Sequence, residues 1–331
     1  MITIARSLGG FTMEGCGRIL LCALPVRVHR GTLAQATFFC AALNARYRLA
    51  SATSGPRCTC ASPLGAGTRV VTRLEGHDFF VRSFEDLIAE AAAADVSGWA
   101  FDWLSGRAIE ERPPWGYARL LSGRLGEAGS ALDIDTGGGE VLAEALRFPR
   151  RMVATETWPP NVQRARELLG SRGVDVVETS EGAPFPFMDE SFELVTARHP
   201  VEPNWTEIHR VLKAGGCYFA QHVGPRSAAE LIEYFLGPAP SGESAREPRH
   251  EAALAQQAGL VVTDLRTARC RMEFYDVGAV VWILRKCVWW VPDFSVDKYR
   301  DNLRELDAQM RNGRPFVAHA SRHLIEARRP A

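Results

Sequence analysis

The chain has 331 residues, with 39 basic and 39 acidic side chains, no formal net charge and 46% apolar residues. This is the composition of a globular protein, and it excludes collagen-like, coiled-coil and wholly disordered chains. The longest apolar run, Ile19 to Val26, falls far short of the ~18 residues of a membrane span, and zero net charge gives no overall pull toward nucleic acid or anionic lipid.

The neutral total hides an asymmetry. Residues 1–73 carry nine arginines, no lysine and one acid, Glu14, a charge of +8, so residues 74–331 carry −8. Five of the eight cysteines (Cys16, Cys22, Cys40, Cys58, Cys60) also lie in this segment. Residues 1–73 show little periodicity and are expected to be a disordered or non-native extension. An Arg-rich targeting leader and a real accessory segment are the competing readings. Cys58 and Cys60 lack a second ligand pair at zinc-finger spacing, so no metal is expected there. The cysteines form no disulfide framework, which points to a cytoplasmic protein.

Ordered sequence begins near residue 74. Ser83 before Phe84-Glu85-Asp86 reads as a capped helix start, running to Ala94. Pro113-Pro114 is expected to open a second helix. Strands then alternate with helices: strands at Ala131–Asp135, Met152–Glu156, Val174–Glu178, Phe192–Ala197 and Cys217–Val223, helices at Glu140–Leu146, Pro160–Gly170 and Asn204–Leu212. Such alternation implies a doubly wound, mostly parallel α/β sheet. Helices near Ala228–Phe235 and Glu251–Gln257 follow, separated by a Gly/Pro/Ser-rich break. A strand at Leu260–Leu265, with Met272–Tyr275 as a second piece, precedes helical stretches at Val277–Trp289 and Val296–Met310. Phe316–Glu326 is expected as an edge strand.

The strongest chemical signal is Asp133-Ile134-Asp135-Thr136-Gly137-Gly138-Gly139-Glu140, a strand running through three glycines into a helix. Glycine lets a ligand approach the backbone, and the helix start offers free N–H groups. This is the crevice where open α/β sheets bind nucleotides. The dinucleotide fingerprint fails, because Leu142 stands where a third glycine is required, and no Gly-Lys-Ser/Thr follows for a phosphate loop. Asp133 and Asp135 would repel a pyrophosphate and attract a cation. Glu156, at the tip of the next strand, suits ribose hydroxyls. Glu181-Gly182, after the third strand, suits an adenine amine. A sulfonium nucleoside meets all three conditions.

These residues resemble the class I S-adenosylmethionine-dependent methyltransferases over roughly residues 110–225. Asp133-x-Asp135-x-Gly137-x-Gly139 resembles the first motif, and Pro186-Phe187-Met188-Asp189-Glu190-Ser191-Phe192-Glu193-Leu194-Val195 and Arg210-Val211-Leu212-Lys213-Ala214-Gly215-Gly216 resemble later ones in order. The resemblance implies a seven-stranded Rossmann-like sheet over residues 74–331, with a cofactor half at about 110–225 and substrate-shaping additions at about 226–313. It implies S-adenosyl-L-methionine held by Asp133, Asp135, Gly137, Gly138, Gly139, Glu156, Thr157, Glu181, Gly182 and Arg198, with Trp115 and Tyr117 as pocket walls. Trp99, Trp103 and Trp158 fit core positions more readily. His199, beside Arg198 after the fourth strand, is the candidate general base. Asp135 stands where the family usually has glycine, so it either crowds the methionine end or binds its ammonium.

The implied function is methyl transfer to a small-molecule acceptor, which needs no metal and no nucleophilic side chain. The rivals are an RNA or protein methyltransferase on the same core, and a non-catalytic scaffold with a degenerate cofactor site. The −8 charge of residues 74–331 speaks against nucleic acid. The aromatics of Phe274–Tyr299 suit either a substrate lid or a helix packed on the sheet.

Overall fold

The computed structural model of the protein describes residues 82–98, 100–239 and 246–331. The expected extension at 1–73, Trp99 and the centre of the Gly/Pro/Ser break lie outside them.

Helix α1 (Phe84–Ala93) starts as the sequence predicts. Ser83 Oγ accepts from the Asp86 N–H, and the Asp86 carboxylate accepts from the Ser83 N–H, a reciprocal capping box. Strand β1 (Ala108–Glu110) has no counterpart in the sequence reading, because three residues are too few to show a period. Helix α2 (Tyr117–Glu127) begins after Gly116, whose φ of 64° turns the chain into it; Pro113-Pro114 lie in the turn before rather than in the first helical turn.

The wound half follows in the expected order. It comprises β2 (Ser130–Ile134), α3 (Glu140–Ala143), β3 (Arg151–Glu156), α4 (Pro159–Leu169), β4 (Val174–Glu178), β5 (Phe192–Arg198), α5 (Trp205–Val211) and β6 (Leu212–Val223). Helix α3 is shorter than expected, and Arg172 caps its end by donating to the Ala143 carbonyl over 2.7 Å. Then come α6 (Ala229–Leu236), α7 (Pro248–Gln257), β7 (Val261–Phe274), α8 (Val277–Lys286), α9 (Arg300–Arg311) and β8 (Phe316–Arg328). The two strand pieces expected between 260 and 275 are one continuous strand.

The sheet has eight strands in the order β1-β7-β8-β6-β5-β2-β3-β4. Strands β4, β3, β2, β5 and β6 run parallel, and β8, β7 and β1 add antiparallel. Two expectations are corrected here. The sheet has an eighth strand, β1. The strand at 316–328 is interior, between β6 and β7, not at the edge. Its edges are filled by hydrogen bonding to β6 on one side and β7 on the other, and Ala318, Ala320, Leu324, Ile325 and Ala327 bury both of its faces.

One face of the sheet packs on α5 and α7 through Val195, Ala197, Trp205, Ile208, Tyr218 and Ile325. The other packs on α2 and α4 through Tyr117, Leu121, Leu125, Ala165, Leu169 and Phe219. A separate core forms where α1, α8 and α9 meet the far halves of β7 and β8. The aromatics of the 274–299 stretch are mostly in this core. Trp282 is 1% exposed, stacks on Trp103 at 5.7 Å and donates its indole N–H to the Asp95 carbonyl. Phe294 stacks on Tyr299, with Phe235 edge-on to both. The packed-helix alternative therefore describes Trp282, Phe294 and Tyr299, while Tyr275 and Trp289 are exposed.

Candidate functional site

The parallel strands present their carboxyl ends along one edge, and the candidate residues gather there. Chain leaving β2 reaches Asp135 at φ 53°, a left-handed conformation that L side chains disfavour, then Gly137 at 64° and Gly139 at 84°. Gly139 is required by space as well as by φ, because a Cβ there would stand 2.7 Å from the Leu169 side chain. The loop is tied to β3 by the Thr136 N–H, which donates to the Thr155 carbonyl over 2.9 Å.

Glu156 is the fixed point of the crevice. It is 6% exposed. Its Oε2 accepts from the Gly137 N–H over 2.7 Å, and its Oε1 accepts from the N–H groups of Thr157 and Trp158, each over 3.0 Å. An ionised carboxylate offers about four acceptor positions. Three are filled from the protein, which leaves one on Oε2 for a ligand hydroxyl.

Asp135 is half-buried, and its Oδ2 takes a long 3.4 Å bond from the Val201 N–H. Burial raises its pKa, and the carboxylates of Glu156 and Glu181 push in the same direction. Three acids thus share one crevice. Glu181 itself is exposed on the loop after β4, and Gly182 turns that loop at φ 70°. A mutually repelling acidic set fits a cation flanked by hydroxyl and amine donors, and it does not fit a polyphosphate. The residues present therefore suit the sulfonium, ribose and adenine of S-adenosylmethionine.

Asp133 lies inside β2. It is 6% exposed, and the Thr196 hydroxyl donates to its Oδ1 over 2.5 Å. Burial raises its pKa to about 6. Thr157 has an exposed side chain, and its backbone serves Glu156.

Ile134 pairs with Ala197, so Asp135 and Arg198 stand at the ends of the adjacent strands β2 and β5. The Arg198 guanidinium is half-buried, and burial followed by the nearby Arg322 lowers its pKa. Arg322 is itself held by Glu110, at 2.7 Å, and by Ser227.

His199 follows at φ 59°. The Trp115 indole N–H donates to Gln221 Oε1 over 2.8 Å, which fixes the amide so that its NH₂ donates to His199 Nε2 over 3.0 Å. The imidazole is therefore neutral, with its proton on Nδ1. Burial, then the cations Arg198 and Arg322, hold its pKa well below 6.5. Tyr117 is 6% exposed, stacks on Phe219 at 5.3 Å and donates its hydroxyl to the Ala197 carbonyl over 2.9 Å. Trp115 and Tyr117 thus brace the tips of β5 and β6 from the α2 side.

Sequence reasoning missed Thr196, Gln221 and Arg322. Gln221 carried a signal, since it is an amide directly after the apolar run Cys217-Tyr218-Phe219-Ala220. Arg322 carried none, because its place beside Arg198 depends on β8 being interior.

Residues 132–220 match the family model described as a methyltransferase domain. No curated protein matches the sequence. Solved structures with a similar fold include a candidate methyltransferase of Bacillus halodurans C-125, at 19% identity over 65% of this chain and 99% of that one, TM-score 0.48. The YcgJ protein of Bacillus subtilis aligns at 16% identity over 65% and 98%, TM-score 0.47. A phosphoethanolamine N-methyltransferase of Haemonchus contortus aligns at 16% identity over 76% and 61%, TM-score 0.43. Among the described residues, no helix is long and apolar enough to cross a membrane.

Proposed function

We propose that the class I S-adenosylmethionine-dependent methyltransferase domain carried by this chain transfers its methyl group to a small-molecule acceptor at the tips of β5 and β6. The observation that carries the reading is Glu156, whose Oε2 holds the glycine loop at Gly137 and keeps one acceptor position open at the end of β3. A carboxylate and a guanidinium on neighbouring strand tips match the ammonium and carboxylate of a methionine end. Glu156 Oε2 takes one ribose hydroxyl, Glu181 and Gly182 face the adenine, and the loop Gly137-Gly138-Gly139 lets the nucleoside approach the backbone.

The cofactor supplies an already activated methyl on sulfur. The chain's task is to align the acceptor with it and keep water out. Trp115 and Tyr117 support that task by making the strand tips rigid. We assign His199 a positioning role, because its Nε2 lone pair is occupied by Gln221 and the neutral ring is a weak base. A small acceptor is favoured over RNA by the −8 net charge of residues 74–331, which gives no overall attraction to phosphates. The buried thiols Cys217 and Cys287, which form no disulfide among the described residues, support a reducing, cytoplasmic setting.

Calorimetry of S-adenosylmethionine binding to the full chain tests the cofactor assignment, beside Arg198→Gln and Asp135→Asn. Micromolar binding by the wild type, weakened in both variants, is expected. Equal binding by all three would remove the methionine-end assignment. A radiolabelled methyl donor with pools of small metabolites, and separately with total RNA, then tests the acceptor class. Label entering RNA alone would overturn the small-molecule reading.

A further inference from the structure

On the α5 and α7 side of the sheet, beside Gln221 in sequence, three polar side chains meet inside the apolar core. His222 and His323 are direct cross-strand partners on β6 and β8, so their imidazoles project side by side from one face. Glu251 enters from α7 above them. Exposures are 2% for His222, 0% for His323 and 5% for Glu251. His222 Nδ1 and His323 Nε2 both contact the same oxygen, Glu251 Oε2, the second over 2.9 Å. All three potential ligand atoms lie within 4.8 Å of one another.

We propose that His222, Glu251 and His323 form a structural divalent-metal site, suited to zinc, that pins α7 to β6 and β8. Two imidazoles and one carboxylate are a ligand set that zinc favours. Zinc bonds of ~2.0–2.1 Å require donor atoms about 3.3 Å apart, a spacing that small rotations of Glu251 and His222 supply. The outer shell is in place on one side. The Tyr218 hydroxyl lies 2.9 Å from His222 Nε2, which fixes the ring with Nδ1 toward the centre. Trp205 stacks on the same ring at 6.2 Å. His323 Nδ1 is buried without a hydrogen-bond partner among the described residues, so no bond on its far side competes for the orientation of that ring. Three protein ligands leave a fourth position for one enclosed water. The hydrogen bonds of these residues run to one another and to Tyr218, not to the residues assigned to the cofactor, so the inference is tested independently of the proposed function.

The test uses the full chain, stripped with a chelator and titrated with zinc against a chromophoric competitor. One tightly bound equivalent is expected. X-ray absorption at the zinc edge of the wild-type protein should show two imidazoles and oxygen, with no sulfur. Glu251→Gln and His323→Gln should lose the equivalent, and His319→Gln, which alters a surface histidine paired with Glu230, should keep it. Chelator should lower the melting temperature of the wild type and leave that of Glu251→Gln unchanged. The absorption experiment needs no variant, so misfolding of a variant leaves the test intact. Absence of a tight equivalent, a sulfur shell, or an equivalent that survives both ligand substitutions in folded protein overturns the proposal. In the first case the three residues are a hydrogen-bonded cluster only.

Discussion

The Gly137 N–H donates to Glu156 Oε2 over 2.7 Å, so the acid at the tip of β3 holds the glycine loop that leaves β2. Glu156 therefore has two tasks, to fix the loop and to meet the ligand.

Removing it should affect both. Glu156→Ala leaves three backbone N–H groups without their acceptor, and bonds to a charged group contribute about 1.5–3 kcal/mol each. We expect a loss of stability of about 4–5 kcal/mol and S-adenosylmethionine affinity reduced about a hundredfold, read by denaturant unfolding and calorimetry. Stability lost with affinity unchanged would confine Glu156 to the loop.

Asp135 separates conformation from binding. Glycine at this left-handed position relieves about 1 kcal/mol of backbone cost. Asp135→Gly should melt higher than the wild type yet bind the cofactor about tenfold more weakly, because the carboxylate opposite the ammonium is gone. A variant that binds more tightly would mean that Asp135 obstructs the site.

Asp133 gives a pH signature. Its folded pKa, about 6, lies above the ordinary 3.8, so the native state holds this proton more tightly than the unfolded chain. The stability it contributes is complete below 3.8 and lost as pH rises through 6. Asp133→Asn, neutral throughout, should exceed the wild type by up to about 3 kcal/mol at neutral pH and match it at acid pH. Urea unfolding across that range measures the difference.

His199 is neutral and hydrogen-bonded through Nε2, so kcat should show no inflection near its ordinary pKa of 6.5. His199→Gln should keep activity within about tenfold of the wild type, below the usual contribution of a general base. A loss of a thousandfold with unchanged KM would restore the base assignment.

Trp282 tests the second core. Trp282→Ala should cost about 3–5 kcal/mol, seen as a lowered melting temperature, with acceptor KM unchanged in the folded protein.

The wound half of the fold was legible because its strands carry recognisable punctuation: glycines after β2, Glu156 closing β3, and Lys213-Ala214-Gly215-Gly216 in the opening residues of β6. Beyond Val223 such punctuation stops. A strand's rank in a sheet is not written in its own residues, so β8 could be found but not ordered. The acids of the crevice were legible by their place after strands, whereas the bonds that engage them were not. Thr196 reaches Asp133 across 63 residues of chain. Likewise His222, Glu251 and His323 have no common spacing, since Glu251 lies 29 residues from one histidine and 72 from the other. Only the register of β6 against β8 brings them together.

That register has a further consequence for biosynthesis. During translation β6 and β7 both emerge before β8, the strand that must lie between them. Until residues 316–328 clear the ribosome, β6 has an open flank and β7 has no partner on that side. A nascent chain in this state displays two unsatisfied sheet edges, the surfaces most prone to pairing with another molecule. Slow decoding just upstream of β8 should therefore raise aggregation more than the same delay placed before β2.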